Sequence, residues 1–334
     1  MTPPVKDKRA LSGIRPSGDV HIGNYLGMLQ PALGLQAEYQ CIYVIVDLHA
    51  LTTQKDPKAL YEQSLDLAAT WVALGLDIKD HILFRQSDVP QVTEFTWYLS
   101  SIVGMGLLEK AHAYKDAAAQ SKDLNHAVFA YPVLMAADIL MYDIDIVPVG
   151  KDQKQHVEMA RDMAGSFNAI YGEGVIKLPQ PVIKEEVQVI PGLDGRKMSK
   201  SYNNTIPLFA PEKQLRKKVL SITTDSTPLE EPKSLKGTLL GEYMQFFATH
   251  DQINDLEARL QAGGLGWGHA KDELFQHIND HIKDARERYQ ELRGDEQQLL
   301  EILTDGAERA TEIADPILQR VRDAVGTGKR NRRA

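Results

Sequence analysis

The sequence has little cysteine and no long apolar run, and each shortage excludes a class of protein. Only Cys41 is a cysteine among the 334 residues, so no internal disulfide can form and a disulfide-stabilised secreted domain is excluded. No apolar segment reaches the roughly 18 residues that a membrane-spanning helix needs. The first ten residues, MTPPVKDKRA, have no apolar segment typical of a signal peptide. We therefore expect a cytoplasmic protein that does not enter a membrane.

An excess of positive charge is also missing, and this limits the partners of the chain. Its 38 lysines and arginines are outnumbered by 46 aspartates and glutamates, so the net charge is −8. General binding of polyanions is not expected, but local basic patches can still contact nucleic acid. The C-terminal GKRNRRA is one such patch, and it is also open to interpretation as a disordered, solubilising end.

Short β-type segments alternate with helical patterns in the first half of the chain. The predicted strands are Arg9–Ile14, 41–46, 81–84 and 145–149, and the predicted helices are 25–36, 56–74 and 124–142. This alternation predicts an α/β fold with a parallel sheet and helices on both faces, which binds ligands at the carboxyl ends of its strands. A Pro- and Gly-rich connecting segment begins near Leu178, and helical patterns follow one another after Pro211.

The segment SGIRPSGDVHIGNYLG, residues 12–27, joins the first predicted strand to a helix start. Its glycines match neither the Walker motif nor Gly-x-Gly-x-x-Gly. A glycine-rich turn at a helix N-terminus is nevertheless suited to phosphate, because free backbone N–H groups and the helix dipole favour anions there. His21 and Asn24 would add N–H donors. Alternatively, the glycines serve only the turn and His21 only caps the helix.

A second motif, GRKMSKS at 195–201, places Lys197 and Lys200 three residues apart on a predicted loop. By itself it is open to interpretation as a solvated basic loop. Taken together, however, HIGN and KMSKS resemble the two signature motifs of the class I aminoacyl-tRNA synthetases, in their order and their separation. In that family both motifs line the phosphates of ATP.

The resemblance extends over nearly the whole chain. SGIRPSGDVHIGNYLG, VDLHALT, YPVLMAADILMYDIDIVPVGKDQKQH, RKMSKS and KKVLSITTDS together resemble the bacterial branch that is specific for tryptophan. This resemblance implies ATP-dependent activation of L-tryptophan and its transfer to tRNA(Trp), with Mg²⁺ and as a homodimer. It also implies a Rossmann-like doubly wound catalytic domain over 1–200, which ends in the lysine loop, and an all-helical anticodon-binding domain over 201–334.

The resemblance further implies three sets of site residues. The catalytic residues are His21, Lys197 and Lys200. The ATP-binding residues are Arg15, Pro16, Ser17, Gly23, Asn24, Gly150, Lys151, Asp152, Lys197, Met198, Ser199, Lys200 and Ser201. The tryptophan-binding residues are His49, Tyr131, Met135, Asp138, Val147, Val149 and Gln153. Arg15 departs from the glutamine that many relatives have there.

The choice of tryptophan can be argued from chemistry at one helix. Tyr131, Met135 and Asp138 are spaced four and three residues apart and share a helical face. Tyr131 and Met135 would fit an ordinary core stripe, but a buried carboxylate needs a partner. Indole offers one N–H donor and no acceptor, which suits the acceptor-only Asp138. His49 would lie on the indole face or, alternatively, only cap a loop.

Other activities stay open at this point. A tyrosine-specific synthetase needs a polar residue for the tyrosine hydroxyl, and Met135 argues against it. A nucleotidyltransferase acting on a small acid shares a histidine–glycine phosphate motif but lacks the lysine loop and the helical domain. A synthetase-like sensor of tryptophan or tRNA would not need the complete set of motif residues.

Overall fold

The computed structural model describes residues 8–111, 114–115, 125–149, 154–183 and 189–328. The strands are β1 (Arg9–Ile14), β2 (Gln40–Ile45), β3 (Ile82–Arg85), β4 (Ile146–Val149) and β5 (Gln180–Ile183). They form one parallel sheet in the order β3-β2-β1-β4-β5. This order places β1 in the middle, so both crevices at its carboxyl end are available to ligands.

The helices surround this sheet and continue beyond it. They are α1 (Ile22–Asn24), α2 (Gln30–Leu33), α3 (Asp47–Ala50), α4 (Pro57–Ala73), α5 (Gln91–Ser100), α6 (Met105–Leu108), α7 (His126–Leu140), α8 (Lys154–Tyr171), α9 (Glu212–Leu220), α10 (Leu239–Phe247), α11 (His250–Gln261), α12 (Trp267–Gly294) and α13 (Glu296–Val325). A π-helical turn, Tyr25–Leu29, connects α1 to α2 without a break. The predicted α/β fold followed by helices is confirmed.

The sheet is buried on both faces, as expected for parallel strands that are covered by helices. Successive residues of β2 alternate between two apolar clusters: Tyr43 and Ile45 lie in one, and Ile42 and Val44 in the other. Each fully buried side chain of this kind stabilises the fold by about 1.5–3 kcal/mol. The alternation explains why β2 has no polar residue between Cys41 and Ile45.

The four predicted strands each lie within one residue of the observed ones. β5 was missed, because Gln180–Ile183 contains a proline and lies in a segment that we predicted to be only a connection. Its backbone pairs with β4 at the edge of the sheet, where a proline is tolerated. Asp56 is the N-cap of α4, since its side chain accepts from the N–H groups of Lys58 and Ala59.

The last helix returns from the helical part to the sheet. α13 packs along β3, the other edge strand. It comes so close that a Cβ at Gly306 would lie 1.9 Å from the Leu83 carbonyl oxygen. Its residues contribute to both apolar clusters, Leu303 to one and Leu318 to the other. The helix therefore covers an edge that would otherwise be open to pairing with another chain.

Ion pairs also connect the helical part to the α/β part. Arg293 at the end of α12 lies 2.7 Å from both Glu62 and Asp66 of α4. The hydroxyl of Tyr289 donates to Asp66 at 3.0 Å. Near the end of α13, Arg322 binds Glu94 of α5. These half-exposed pairs are individually weak, but they fix which faces of the helices meet.

Candidate active site

The carboxyl end of β1 leads through a glycine-rich turn into α1. His21 is the N-cap of this helix and forms a capping box with Asn24: His21 Nδ1 accepts from the Asn24 N–H at 3.2 Å, and Asn24 Oδ1 accepts from the His21 N–H at 3.2 Å. The backbone of the segment just after the lysine loop pairs with this turn. Ile22 N–H donates to the Ile206 carbonyl, and Leu208 N–H to the Val20 carbonyl, both at 2.9 Å.

The capping bond fixes the chemistry of the His21 ring. Because Nδ1 is an acceptor, a neutral ring has its proton on Nε2. Burial of the ring, followed by the nearby charge of Lys200, lowers the pKa of His21 to about 4. At neutral pH the ring is therefore an uncharged N–H donor whose tautomer is set by the helix start.

The lysine loop lies directly against this turn. Met198 is buried, and its sulfur accepts from the Gly23 N–H at 3.2 Å. The Lys200 ammonium donates to the Ser17 carbonyl at 2.7 Å. Burial lowers the pKa of Lys200, an effect that Asp19 opposes and Arg15 reinforces. The two motifs, about 170 residues apart in sequence, thus form one surface with cations beside a helix N-terminus.

The other described residues predicted to bind ATP belong to the same turn and to the lysine loop. Arg15, Ser17 and Lys197 are exposed, whereas Pro16 is buried. The Ser199 side chain accepts from the Ser201 N–H at 3.3 Å and caps the 3₁₀ turn Lys200–Tyr202. Gly150, Lys151, Asp152 and Gln153, and the side chain of Val149, lie outside the described residues.

A buried carboxylate occupies the adjacent crevice. Asp138 of α7 is 4% exposed. His49 Nε2 of α3 lies 3.1 Å from Asp138 Oδ2, and the His49 ring packs edge-on against Tyr131 at 6.0 Å. The structure thus brings together three of the residues predicted for tryptophan. Met135 is half-buried on the same helix, and Val147 is buried in β4.

Gln86, which we did not predict, is a main partner of this carboxylate. It follows β3 directly and is 1% exposed. Its Oε1 accepts from the Leu48 N–H at 3.2 Å, which sets the orientation of the amide. Its Nε2 then donates to both oxygens of Asp138, at 2.8 and 2.7 Å. The sequence signal was its place just after a predicted strand, at the edge where an α/β sheet binds ligands, but this place does not indicate Asp138 as its partner.

Two further pairs hold the walls of this crevice. Ser87 donates from its N–H (3.0 Å) and its hydroxyl to Asp47, so the turn after β3 is tied to the helix that contains His49. Burial raises the pKa of Asp47, and the Ser87 bonds oppose that rise. The Tyr131 hydroxyl hydrogen-bonds to Nε2 of the buried His156 in α8. His156 was also not predicted, although it belongs to the motif GKDQKQH.

Neither a metal-binding cluster nor a membrane-spanning helix is present in the described part of the chain. No group of three or more His, Cys, Asp or Glu side chains there is arranged to hold a metal ion. None of the described helices has the length and apolar character to span a membrane.

Comparison with known proteins agrees with this geometry. Residues 5–283 match the model of the family "tRNA synthetases class I (W and Y)". A tryptophan–tRNA ligase of Fusobacterium nucleatum is 46% identical over 96% of this chain and 98% of its own. The crystal structure of tryptophanyl-tRNA synthetase from Campylobacter jejuni, complexed with ADP and tryptophan, is 45% identical. It covers 95% of this chain and 99% of its own, with a TM-score of 0.92.

A third match is more distant and still covers the whole fold. Tryptophanyl-tRNA synthetase from Mycoplasma pneumoniae is 29% identical, covers 97% of this chain and 99% of its own, and has a TM-score of 0.79. Sheet order, motif contacts and full-length similarity therefore agree. The chain belongs to the class I tRNA synthetases for tryptophan and tyrosine, and within that family to the tryptophan–tRNA ligases.

Proposed function

We propose that this site activates L-tryptophan with ATP and transfers it to tRNA(Trp). The observation that supports this most directly is the contact between the lysine loop and the start of α1, beside a crevice that contains Asp138. Cations and N–H donors suit a triphosphate, and a buried acceptor suits indole. The similar C. jejuni enzyme, whose structure contains ADP and tryptophan, supports the same pair of ligands.

On the phosphate side, three groups would stabilise negative charge. The Nε2–H of His21 is a neutral donor, and Lys197 and Lys200 are exposed cations on the facing loop. They would act on the α-phosphate and on the departing pyrophosphate, whose charge increases in the transition state. Asn24 and Arg15 would bind other phosphate oxygens. Mg²⁺ would enter with ATP, because it is usually held by the substrate phosphates and only a few carboxylates.

On the amino-acid side, Asp138 would accept the indole N–H. Gln86 and His49 make three contacts with the Asp138 carboxylate. Because its two oxygens offer about four acceptor directions, one remains for the indole N–H. His49 and Met135 would contact the indole ring. Gly150, Asp152 and Gln153, the residues proposed for the ribose and the amino group, complete the site by resemblance alone.

The reaction has two balanced steps. A tryptophan carboxylate oxygen forms a bond to the α-phosphorus of ATP, the bond to the bridging oxygen breaks, and pyrophosphate leaves. The terminal ribose hydroxyl of the tRNA then attacks the carbonyl carbon, loses its proton, and AMP leaves. No covalent enzyme intermediate is needed, so positioning and electrostatic stabilisation supply the catalysis.

Exchange of labelled pyrophosphate into ATP tests the first step. We expect exchange with tryptophan and none with tyrosine or without an amino acid, since Met135 offers nothing for a tyrosine hydroxyl. Exchange driven by tyrosine would contradict the specificity. Absence of exchange with every amino acid would instead favour a sensor of tryptophan or tRNA.

We also propose that the chain has two domains with different roles: residues 1–200 form the catalytic domain, and residues 201–334 form the domain that binds the tRNA anticodon. The α9 helix supports a nucleic-acid contact, because Lys213, Arg216 and Lys217 are exposed on it. Neutralising Lys213 and Lys217 together should raise the KM for tRNA and weaken its salt dependence. Tryptophan-dependent exchange, measured without tRNA, should not change. Equal loss of both activities would contradict this division.

Finally, we propose that the protein works as a homodimer in the cytoplasm. Trp97 on α5 is 74% exposed and Met105 on α6 is 62% exposed, and a contact between two subunits would remove such apolar side chains from water. Light scattering at micromolar concentration should give twice the 37.3 kDa chain mass. Trp97→Glu should shift the population to monomer, and a wild-type monomer at that concentration would refute the assembly.

A further inference from the structure

Asn204 is an unusual residue at the end of the lysine loop. Polar side chains in loops are normally hydrated, yet Asn204 is only 2% exposed. It follows the 3₁₀ turn Lys200–Tyr202 and Asn203, which adopts a left-handed conformation with φ of 51°. This brings the amide of Asn204 back underneath the loop that precedes it.

The amide makes hydrogen bonds along the whole loop. Its Oδ1 accepts from the Ser199 N–H at 2.8 Å. Its Nδ2 donates to Asp194 Oδ1 at 2.7 Å and to the Lys197 carbonyl at 3.1 Å. The Asn204 backbone carbonyl accepts from the Leu193 N–H at 2.9 Å. One side chain therefore satisfies polar groups at the start, the middle and the end of the loop.

These contacts bracket the residues that are proposed to face the phosphates of ATP. The bond to the Lys197 carbonyl and the bond from the Ser199 N–H lie on either side of Met198. Met198 in turn is the side chain that meets the Gly23 N–H of the HIGN turn. The position of the backbone that holds Lys197 and Lys200 is thus set through Asn204, although Asn204 itself does not reach the exposed surface.

Gly192 gives an independent indication of how closely this amide fits. A Cβ at Gly192 would lie 2.2 Å from Asn204 Nδ2 and 2.8 Å from the Asn204 carbonyl oxygen. Both distances are far below van der Waals contact. Glycine at 192 is therefore explained by the space that Asn204 needs.

Asp194 completes the arrangement as a charged acceptor. Its pKa is lowered to about 2, first by the hydrogen bond from Asn204 and also by Arg196, against the effect of desolvation. Arg196 lies 2.6 Å from Asp194 and over the Tyr202 ring at 4.5 Å. An oxygen in place of the Asn204 amide nitrogen would face this carboxylate and the Lys197 carbonyl, with repulsion at both.

We propose that Asn204 is a positioning residue for amino-acid activation, which holds the lysine loop in the arrangement that places Lys197 and Lys200 on the HIGN turn. This rests on the proposed roles of the two lysines. It assigns no contact between Asn204 and substrate. A change at Asn204 should therefore lower the rate of adenylate formation and leave tryptophan affinity unchanged. The reason is that the loop is on the phosphate side, whereas other elements form the tryptophan crevice.

The test compares Asn204→Asp and Asn204→Ala with Asn203→Gly in tryptophan-dependent exchange. Asn203→Gly is the matched control, because glycine keeps the positive φ and removes only an exposed side chain. We expect both Asn204 variants to lose about 10–100-fold in kcat, as misplacement by about 1 Å can cost such a factor. Their Kd for tryptophan, measured by calorimetry, should stay within about threefold of wild type.

Two further variants keep the proposal falsifiable if the first two fold poorly. Gly192→Ala should reproduce the kcat loss through its clash with Asn204. The double variant Asp194→Asn/Asn204→Asp restores a donor facing an acceptor and should recover part of the activity that Asn204→Asp loses. If Asn204→Asp matches Asn203→Gly, or if kcat and tryptophan affinity fall together, the positioning role is wrong. Wild-type protein without exchange would instead refute the proposed function itself.

Discussion

The two sides of the proposed site hold their proposed binding groups in opposite ways. On the amino-acid side, the Asp138 carboxylate is 4% exposed and bound by a glutamine that is 1% exposed. On the phosphate side, Lys197 and Lys200 are exposed, and the buried residue Asn204 lies behind them. Tryptophan offers one uncharged N–H, so selection depends on an acceptor that is desolvated and already oriented. A triphosphate is a multiple anion, so hydrated cations can receive it and give up water on binding.

This difference predicts where a mutation acts. A change behind Asp138 should alter which amino acid is selected, whereas a change in the lysine loop should alter how fast the selected one reacts. The comparison would fail if variants of both sides changed the same kinetic constant.

Lys200→Ala should give the largest effect. Removing one group that stabilises developing charge typically costs about 10²–10³-fold in kcat, and the lost ammonium–Ser17 bond also loosens the contact between the motifs. The measurement is tryptophan-dependent pyrophosphate exchange, with calorimetry for tryptophan affinity. Lys236→Ala, which removes an exposed lysine of the helical part, serves as the control. A large loss of tryptophan affinity with unchanged kcat would contradict the assignment of Lys200 to the phosphate side.

The fold and the outline of the site could be predicted from sequence because their signals are local. Apolar segments between turn residues located four strands, and two short motifs predicted a phosphate side whose segments the structure brings into contact. Spacing along α7 placed Tyr131 and Asp138 on one face, and the structure adds His49 at 3.1 Å from Asp138. Each of these inferences needs only neighbouring residues or a motif.

Gln86 and Asn204 could not be found in that way. Gln86 owes its importance to residues 38 and 52 positions away, which only the fold brings close. Asn204 bonds to groups five to ten positions earlier in the chain, and its importance depends on a loop conformation that no periodic pattern predicts. The packing of α13 on β3 could not be predicted either, since nothing in the sequence of α13 indicates which strand it covers. An amphipathic pattern shows that a helix face is buried but not which element buries it.

Gln86→Leu should have an intermediate effect, confined to amino-acid selection. Loss of the amide removes two hydrogen bonds to a buried carboxylate, and a bond to a charged group is worth about 1.5–3 kcal/mol. We expect tryptophan to bind about tenfold more weakly, and preference over a benzothiophene analogue, which lacks the N–H, to decrease. Gln91→Leu is the control, because Gln91 lies nearby but bonds to exposed Asp315. Equal effects of the two variants would show that Asp138 does not depend on Gln86.

The titration of His21 should give the smallest effect, a change in thermal stability that is visible only as pH is varied. Its folded-state pKa of about 4 lies below the ordinary 6.5, so the unfolded chain takes up a proton between these values while the folded protein does not. His21 therefore lowers stability as pH falls from about 6.5 to 4, and this penalty is absent above 6.5.

His21→Asn should lose less thermal stability than wild type between pH 7 and 5, whereas the exposed His269→Asn should not show this difference. Nitrogen NMR of the ring should detect a proton on Nε2 alone from pH 8 to 5.5. If His21 instead becomes charged near pH 6.5, the proposed phosphate side has a third cation beside Lys197 and Lys200. The contrast between a neutral donor at the helix start and the cations of the lysine loop would then be wrong.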